Sequence, residues 1–388
     1  MPPAGSTVIE RASLNHAQAQ GFPPTPPSAT RTCPHHLVLG VFFDGTGNNM
    51  YRHFQGRVGA GSETNVARLF RLYRDHDDAA RARVKLYVVG VGAMTTAAGT
   101  GLANQLPADQ RARALRLRDV EVSSSLPWFG DVIGGATGLG ATERLTIAYR
   151  WAQTWCRSVP GCNPKLVDVY GFSRGAAMAR TFVNLVLIGL MREFENVSVR
   201  FLGVYDTVGS FGAGGDDVDV GQNMCIRPGD AAHVRHYTAR HEIRENFPLT
   251  ALGPDRSYPG AHSDVGGGYG PDDDGATNHL SFVPLTDMYH SSVSSGVEMS
   301  ALEIPAGVDV EWLRRTSEHY WPSGAQAFAP GGTFDRERQA FYRRYMHTSH
   351  SRWRVGMGAE PSGRRRVFPN PRRKAVRRPP PEHQWVEP

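Results

Sequence analysis

Cysteine is scarce in this chain. Four residues, Cys33, Cys156, Cys162 and Cys225, are too few for a disulfide scaffold and stand at no spacing that holds a metal. Cys156 and Cys162 are near enough to bridge across a loop, but unpaired structural thiols are the simpler expectation. Nucleotide and zinc motifs are missing too. The chain has no G-x-x-x-x-G-K-[ST], no H-E-x-x-H and no paired C-x-x-C, so P-loop phosphate binding and zinc catalysis have no foothold. Asp272-Asp273-Asp274 lacks the spaced oxygens of an EF-hand loop and reads as a solvated turn. No metal and no organic cofactor is expected. Long apolar runs are short as well. The longest, Phe182–Met191, is interrupted by Asn184 and falls below the length that crosses a bilayer. The first 30 residues hold no apolar segment of the kind that forms a signal peptide. Synthesis in the cytoplasm without an ordinary signal peptide is therefore expected.

What is present fits a folded, soluble body. Across 388 residues, 40% are hydrophobic and 21% charged, enough for one large α/β domain with extensions. The formal charge of +6 is concentrated near the C-terminus, in Arg364, Arg365, Arg366, Arg372, Arg373, Lys374, Arg377 and Arg378. Without that run, the rest of the chain is slightly acidic. Composition divides the chain into a Pro-rich segment, 1–34, expected to be disordered, a body, 35–355, and a basic Arg/Pro tail, 356–388. The tail has three readings: a solubilising extension, a ligand for anionic lipid headgroups or a phosphate-binding arm for nucleic acid.

The body alternates strand and helix. Leu37–Phe43 is a continuous apolar run, as in a buried parallel strand, and it ends in the turn-rich Asp44-Gly45-Thr46-Gly47-Asn48-Asn49. Ser62 or Thr64 can cap a helix whose Val66, Leu69, Phe70 and Tyr73 share one face. Val84–Val91 reads as a second strand. Residues 92–140 are loosely patterned and suit a lid or substrate groove, with Trp128 and Phe129 as apolar contacts. Leu145, Ala148, Tyr149, Ala152 and Trp155 mark a helix, and Val197–Tyr205 another strand. This order predicts a mostly parallel central sheet with helices on both faces.

The chemistry centres on LVDVYGFSRGAAMAR (Leu166–Arg180). An apolar strand stops at Gly171, Ser173 stands at the apex, Gly175 follows, and small helix-forming residues come next. This is the G-x-S-x-G nucleophile elbow, in which a sharp turn projects the serine hydroxyl and glycine relieves crowding on either side. A nucleophilic serine needs a histidine base and an orienting carboxylate, which in α/β-hydrolases follow in the order Ser, Asp/Glu, His. Asp206 directly follows the Val197–Tyr205 strand. Among fifteen histidines His262, in the Gly-rich YPGAHSDVGGGYG, stands out, with His347 and His350 as rivals. His233, His236 and His241 fall in a charged stretch read as helical and exposed. Asp264 caps a turn or orients the His262 loop. Gly45, Thr46 and Gly47 are the candidate oxyanion donors from an early loop, together with the Arg174 backbone N–H. Asp44 is expected to organise that loop.

Four ordered blocks, FFDGTGNN (Phe42–Asn49), YGFSRGA (Tyr170–Ala176), GVYDTVG (Gly203–Gly209) and PGAHSDVGGGY (Pro259–Tyr269), carry a resemblance. Together they resemble an uncharacterised α/β-hydrolase family that includes the type VI secretion phospholipase effectors, over about residues 37–350. The resemblance implies an α/β-hydrolase fold, a Ser173–Asp206–His262 triad and A-type cleavage of acyl esters in phospholipids. It also implies delivery into the periplasm of rival bacteria, with a type VI spike and an immunity protein as partners. Beside a lipid hydrolase, the tail reads better as a membrane contact than as a nucleic-acid arm. The chain departs from the longer effectors in ending on this basic tail instead of a large membrane-targeting region. General carboxylesterase or neutral-lipid lipase activity is the alternative chemistry. A non-catalytic hydrolase-fold module is the alternative of another class, opposed by the competent residues at every triad position.

Overall fold

The computed structural model describes residues 36–50, 61–77, 81–93, 140–158, 164–211, 222–244, 246–323, 336–347 and 365–374. The N-terminal segment 1–34, nearly all of the 92–140 insert, Cys33, Cys162 and His350 lie outside the described residues.

The chain runs through β1 (His36–Phe43), α1 (Asn65–Leu72), β2 (His76–Asp77), β3 (Arg81–Val88) and α2 (Ala141–Ser158). It continues through β4 (Lys165–Phe172), α3 (Arg174–Leu185), β5 (Val197–Tyr205), β6 (His233–Ala239), β7 (Leu249–Thr250) and β8 (Asp255–Tyr258). Then follow α4 (His262–Gly266), α5 (Phe282–Ser294), α6 (Val310–Tyr320), α7 (Arg336–Tyr345) and β9 (Val367–Phe368). The main sheet has seven strands in the order β2-β3-β1-β4-β5-β6-β8, with β2 antiparallel and the other six parallel.

Period-two alternation along buried strands sorts side chains to two faces. Leu37, Leu39, Val41 and Phe43 of β1 join Val167 and Val169 of β4 under α2 and α3, against Ala148, Ala152, Phe182 and Val183. Val38 and Phe42 point the other way, with Tyr87 and Tyr170, onto α1 and α5 through Val66, Leu69, Phe70, Phe282 and Met288. The helix face expected from the sequence is thus the one buried, and Thr64 is its cap, accepting from Ala67 N at 3.1 Å.

The strand expected at Val84–Val91 sits three residues earlier. Its last members leave the sheet to hold the loop after β1: Gly47 N–H donates to Val91 O at 2.9 Å and Gly90 N–H to Asn48 O at 3.0 Å. The approach is so close that a Cβ on Gly90 would lie 1.7 Å from Gly45 O. The stretch containing His233, His236 and His241 differs more. It forms β6 rather than a helix; His233 is exposed, but His236 and His241 are buried. Strand partners on both sides, β5 and β8, override its charged composition.

After α3 the helix continues through a π-helical turn, Val186–Leu190, to Glu193. Arg174–Glu193 is long and apolar enough to pass for a membrane span, yet 72% of its most apolar window is buried inside the fold. It is the core helix under the sheet. Asn184, which breaks its apolar run, donates to the carbonyls of Asn223 and Cys225, both at 2.8 Å. Cys156 and Cys225 are buried free thiols.

The basic tail is not uniform. Residues 365–374 pack on the body: β9 pairs in parallel with β7, and Asn370 exchanges hydrogen bonds with Ile226. The boundary drawn at 356 from composition therefore separates from the body a segment that the fold includes.

Candidate active site

Parallel strands deliver their C-terminal ends to one edge, and the candidate residues collect there. Ser173 immediately follows β4 and has φ 59° and ψ −128°, a conformation unusual for any residue with a side chain. Such strain costs on the order of 1–3 kcal/mol and is held by its surroundings. Here Ser173 N–H donates to Tyr205 O at 3.0 Å, and Ser173 O accepts from Val208 N at 3.2 Å, which ties the turn to the end of β5. The glycines of the elbow are required by contact. A Cβ on Gly171 would lie 2.6 Å from Gly175 O, and one on Gly175 2.3 Å from Asp44 O.

Asp206 ends β5, fully buried, with φ 39°. Its Oδ2 faces His262 Nδ1 at 2.6 Å, and its Oδ1 accepts from Ala239 N at 2.7 Å. His262 opens α4, just past β8, and its ring lies against Phe172 (centroids 4.5 Å) and Phe247 (4.9 Å, edge-on). The helix seats directly on the elbow, since a Cβ on Gly266 would meet the Phe172 ring at 2.0 Å. Burial lowers the His262 pKa below the ordinary 6.5, against the upward pull of Asp206, while nearby Arg244 lowers it further. Burial would raise Asp206, but Arg365 and His262 outweigh it and hold the carboxyl well below the usual range.

His347 occupies a different place from that of a rival base. Its Nδ1 faces Asp264 Oδ1 at 2.6 Å and its ring stacks on Tyr269 at 3.9 Å. Asp264 also accepts from Ala261 N at 2.9 Å and His347 N at 3.0 Å. It therefore both caps α4 and braces the His262 loop from behind. His236, itself buried, makes a third pair with the half-buried Asp255 at 2.7 Å.

The loop after β1, from which oxyanion donors were expected, has two of its three amides engaged. Gly45 N–H donates to Asp44 Oδ1 at 2.7 Å and Gly47 N–H to Val91 O, so both amides are engaged inside the loop. Among the described residues the Thr46 N–H has no acceptor, unlike those of Gly45 and Gly47, and the Thr46 Oγ1 accepts from Arg174 Nη1 at 3.2 Å. Arg174 begins α3, where helix N–H groups and the positive dipole end point outward. Asp44 does organise the loop: its carboxyl accepts from Gly45 N–H, from the Thr64 hydroxyl at 2.6 Å and from the Tyr87 hydroxyl. Burial pushes its pKa up to about 6 despite those donors.

Sequence reasoning missed two arginines. Arg365 grips Asp206 with both terminal nitrogens, Nη1 to Oδ2 and Nη2 to Oδ1, each at 2.6 Å. Arg244 grips Glu242, whose Oε2 also accepts from His262 N at 3.2 Å. No motif marks either residue, and Arg365 stands 159 positions from its partner in a run of like charges. Among the described residues no group of His, Cys, Asp and Glu is arranged to hold a metal ion.

A parallel sheet carrying serine, aspartate and histidine in that chain order at its C-terminal edge, with the serine on a strand-to-helix elbow, defines an α/β-hydrolase. The model for the catalytic domain of the type VI secretion system phospholipase effectors, Tle1-like, matches residues 37–196 and 190–291, and the chain belongs to that family. Membership makes it a phospholipase effector domain, a hydrolase exported by the type VI machinery into target cells, as the four sequence blocks implied. Among solved structures, a Tle1 effector bound to the VgrG spike of the type 6 secretion system is 20% identical. That match covers 83% of this chain and 85% of that one, with a TM-score of 0.48. An uncharacterized protein from Pseudomonas aeruginosa is 21% identical, over 81% of this chain and 52% of that one, with a TM-score of 0.49. A comparison with curated proteins gives no match.

Proposed function

We propose that the chain cleaves acyl esters of phospholipids, as an A-type phospholipase, through Ser173, His262 and Asp206. The observation that carries the reading is the 2.6 Å contact of Asp206 Oδ2 with His262 Nδ1, with the imidazole packed on Phe172, the residue before a serine held at φ 59°. With Nδ1 held by Asp206, the imidazole keeps Nε2 for proton transfer. Ser173 Oγ attacks the acyl carbonyl carbon while His262 Nε2 takes the hydroxyl proton. Backbone N–H groups of Arg174 and Thr46 hold the oxyanion of the tetrahedral intermediate. Collapse breaks the ester bond, and His262 returns the proton to the departing lysophospholipid alcohol. A water, deprotonated by the same imidazole, then releases the fatty acid from Ser173. Asp206 remains ionised throughout and stabilises the transient imidazolium.

For delivery we propose a type VI spike protein as carrier, the target-cell periplasm as the site of action and an immunity protein in the producing cell. Family membership supports this reading.

The deciding experiment is fatty-acid release from mixed phospholipid vesicles by the wild type and by Ser173→Ala, with a short soluble ester alongside. Serine-dependent release from vesicles supports the phospholipase, and the lysolipid formed identifies the position cut. Serine-dependent cleavage of the soluble ester alone moves the assignment to a general carboxylesterase.

A further inference from the structure

The Asp206 carboxylate, described above as the partner of His262, is held equally by a residue from the far end of the chain. We propose that Arg365 is a positioning residue of the active site: the segment 365–374 is a strap that docks across the sheet edge and presents a guanidinium fork to Asp206. This rests on the triad proposed above.

The geometry of the fork is specific. Two parallel N–H···O contacts of 2.6 Å fix the plane of the carboxylate, and a third, from Nη2 to Ala239 O at 2.8 Å, fixes the guanidinium. Ala239 N–H in turn donates to Asp206 Oδ1, closing a ring of contacts between the ends of β5 and β6. With both oxygens anchored, Oδ2 is aimed at His262 Nδ1. A lysine offers one point charge with no planar fork and does not reproduce this.

The strap is fastened on both sides of Arg365's neighbours. Leu249 N–H donates to Arg366 O at 2.9 Å and Ala251 N–H to Phe368 O at 2.8 Å. Further along, Asn370 Oδ1 accepts from Arg180 Nη2 at 3.1 Å, and Arg373 pairs with Asp230. Arg180 projects from α3, the helix that follows the nucleophile. β7, which the strap pairs with, is itself joined to the elbow side through Thr250 N–H to Thr207 O at 2.9 Å. The strap is thus continuous with the loops that follow Ser173 and Asp206.

Charge gives the fork a second consequence. Asp206 and Glu242 are the anions facing His262, and Arg365 and Arg244 are the cations paired with them. Phe172 and Phe247 pack against the imidazole ring without adding charge. Two carboxylates and two guanidiniums leave the imidazole in nearly neutral surroundings. Removing Arg365 alone leaves Asp206 uncompensated beside His262, which favours the imidazolium and takes away the free base at mildly acid pH.

The test measures kcat/KM against pH on a soluble short-chain ester for the full-length wild type, Arg365→Lys, Arg365→Met and Arg372→Ala, with thermal melts throughout. Arg372 is an exposed residue of the same strap and serves as the control. We expect Arg365→Met to lose roughly 10- to 100-fold, the scale of a misplaced catalytic group. Its acid limb should move up by about one pH unit, as for an imidazole beside an unmatched carboxylate. Arg365→Lys should keep the wild-type acid limb but still lose about tenfold in kcat, because a charge without the fork leaves the carboxylate less well aimed. Added guanidinium ion at low concentration should restore part of the Arg365→Met loss. A folded Arg365→Met whose limb stays at the wild-type pH overturns the proposal, even if activity drops. Should that variant not fold, wild-type kcat in a folded Arg365→Lys overturns it equally. The triad reading fails separately: there the wild type itself would show no dependence on Ser173.

Discussion

Asp206 holds two partners at once. It is fully buried and ionised, facing an imidazole and a guanidinium at 2.6 Å each. In the proposed triad, Asp206→Asn is expected to lower kcat about 10⁴-fold, because the amide no longer fixes the tautomer or balances the imidazolium. It also leaves the buried Arg365 guanidinium without a counter-charge, at a cost of about 3–5 kcal/mol. A urea titration should therefore register a fall that Ser173→Ala does not produce. With His262 as the proposed base, the pH profile follows from its ionisation. A general base must be neutral, and burial holds this imidazole below the ordinary 6.5. The acid limb of kcat/KM should thus have its midpoint below pH 6.5, read on a soluble ester to avoid vesicle effects. The sign for stability agrees. The unfolded histidine binds its proton near 6.5 while the folded one resists, so this group's contribution declines as pH falls below that value. At this scale the sequence was informative where a candidate directly followed an apolar strand, as Ser173 and Asp206 do. It was silent on Arg365, because an arginine among arginines has no local pattern that tells a surface charge from a buried clamp.

Whole elements show the same division. The elbow was legible because glycines flank its serine on both sides: Gly171 is needed by Gly175 O, four residues away, although Gly175 is needed by the distant end of β1, at Asp44 O and Phe43 O. The helix face of α1 was legible from period alone. The strand β6 was not, since a run of histidine and arginine becomes a strand only when β5 and β8 supply its ladder partners. The loop after β1, proposed to supply oxyanion donors, was half legible. Its position after β1 was clear, but which amides stay uncommitted depends on Val91 and Asp44, and only the folded loop reveals that. Thr64 joins two of these elements, capping α1 through Ala67 N–H and donating to the Asp44 carboxyl. Asp44 is raised to about 6, so it takes up its proton on the folded side between roughly pH 6 and 4, and its contribution to stability falls as pH rises through that window. Thr64→Ala removes the cap at any pH, at about 1 kcal/mol. Above pH 6 it also strips a donor from a buried anion, a further cost of about 1.5–3 kcal/mol. Urea midpoints at pH 5 and pH 8 should show the larger loss at pH 8. Equal losses would mean that Asp44 is not the ionised partner inferred here.

At the scale of the whole molecule, composition alone treats the C-terminal basic run as one object, and the fold divides it. Residues 365–374 are bound to the body through β9, Asn370 and the Arg365 fork, whereas Arg377 and Arg378 lie beyond the described residues. A membrane role for the tail would, on composition, survive as a separable function: removing 361–388 should weaken binding to anionic vesicles and spare hydrolysis of a soluble ester. The strap reverses the second half of that expectation. A chain ended before Arg365 loses the partner of Asp206 and the strand beside β7, and ester hydrolysis should fall by about 100-fold or more. A chain ended after Lys374 keeps every one of those contacts and should hydrolyse the soluble ester at the wild-type rate. Comparing the two truncations on vesicles and on the ester separates membrane attraction from catalysis. If only the shorter chain loses esterase activity while both bind anionic vesicles less well, the run carries two roles in tandem, an active-site clamp followed by a lipid contact. If both keep full esterase activity, the fork at Asp206 is dispensable and the basic run is a tail throughout.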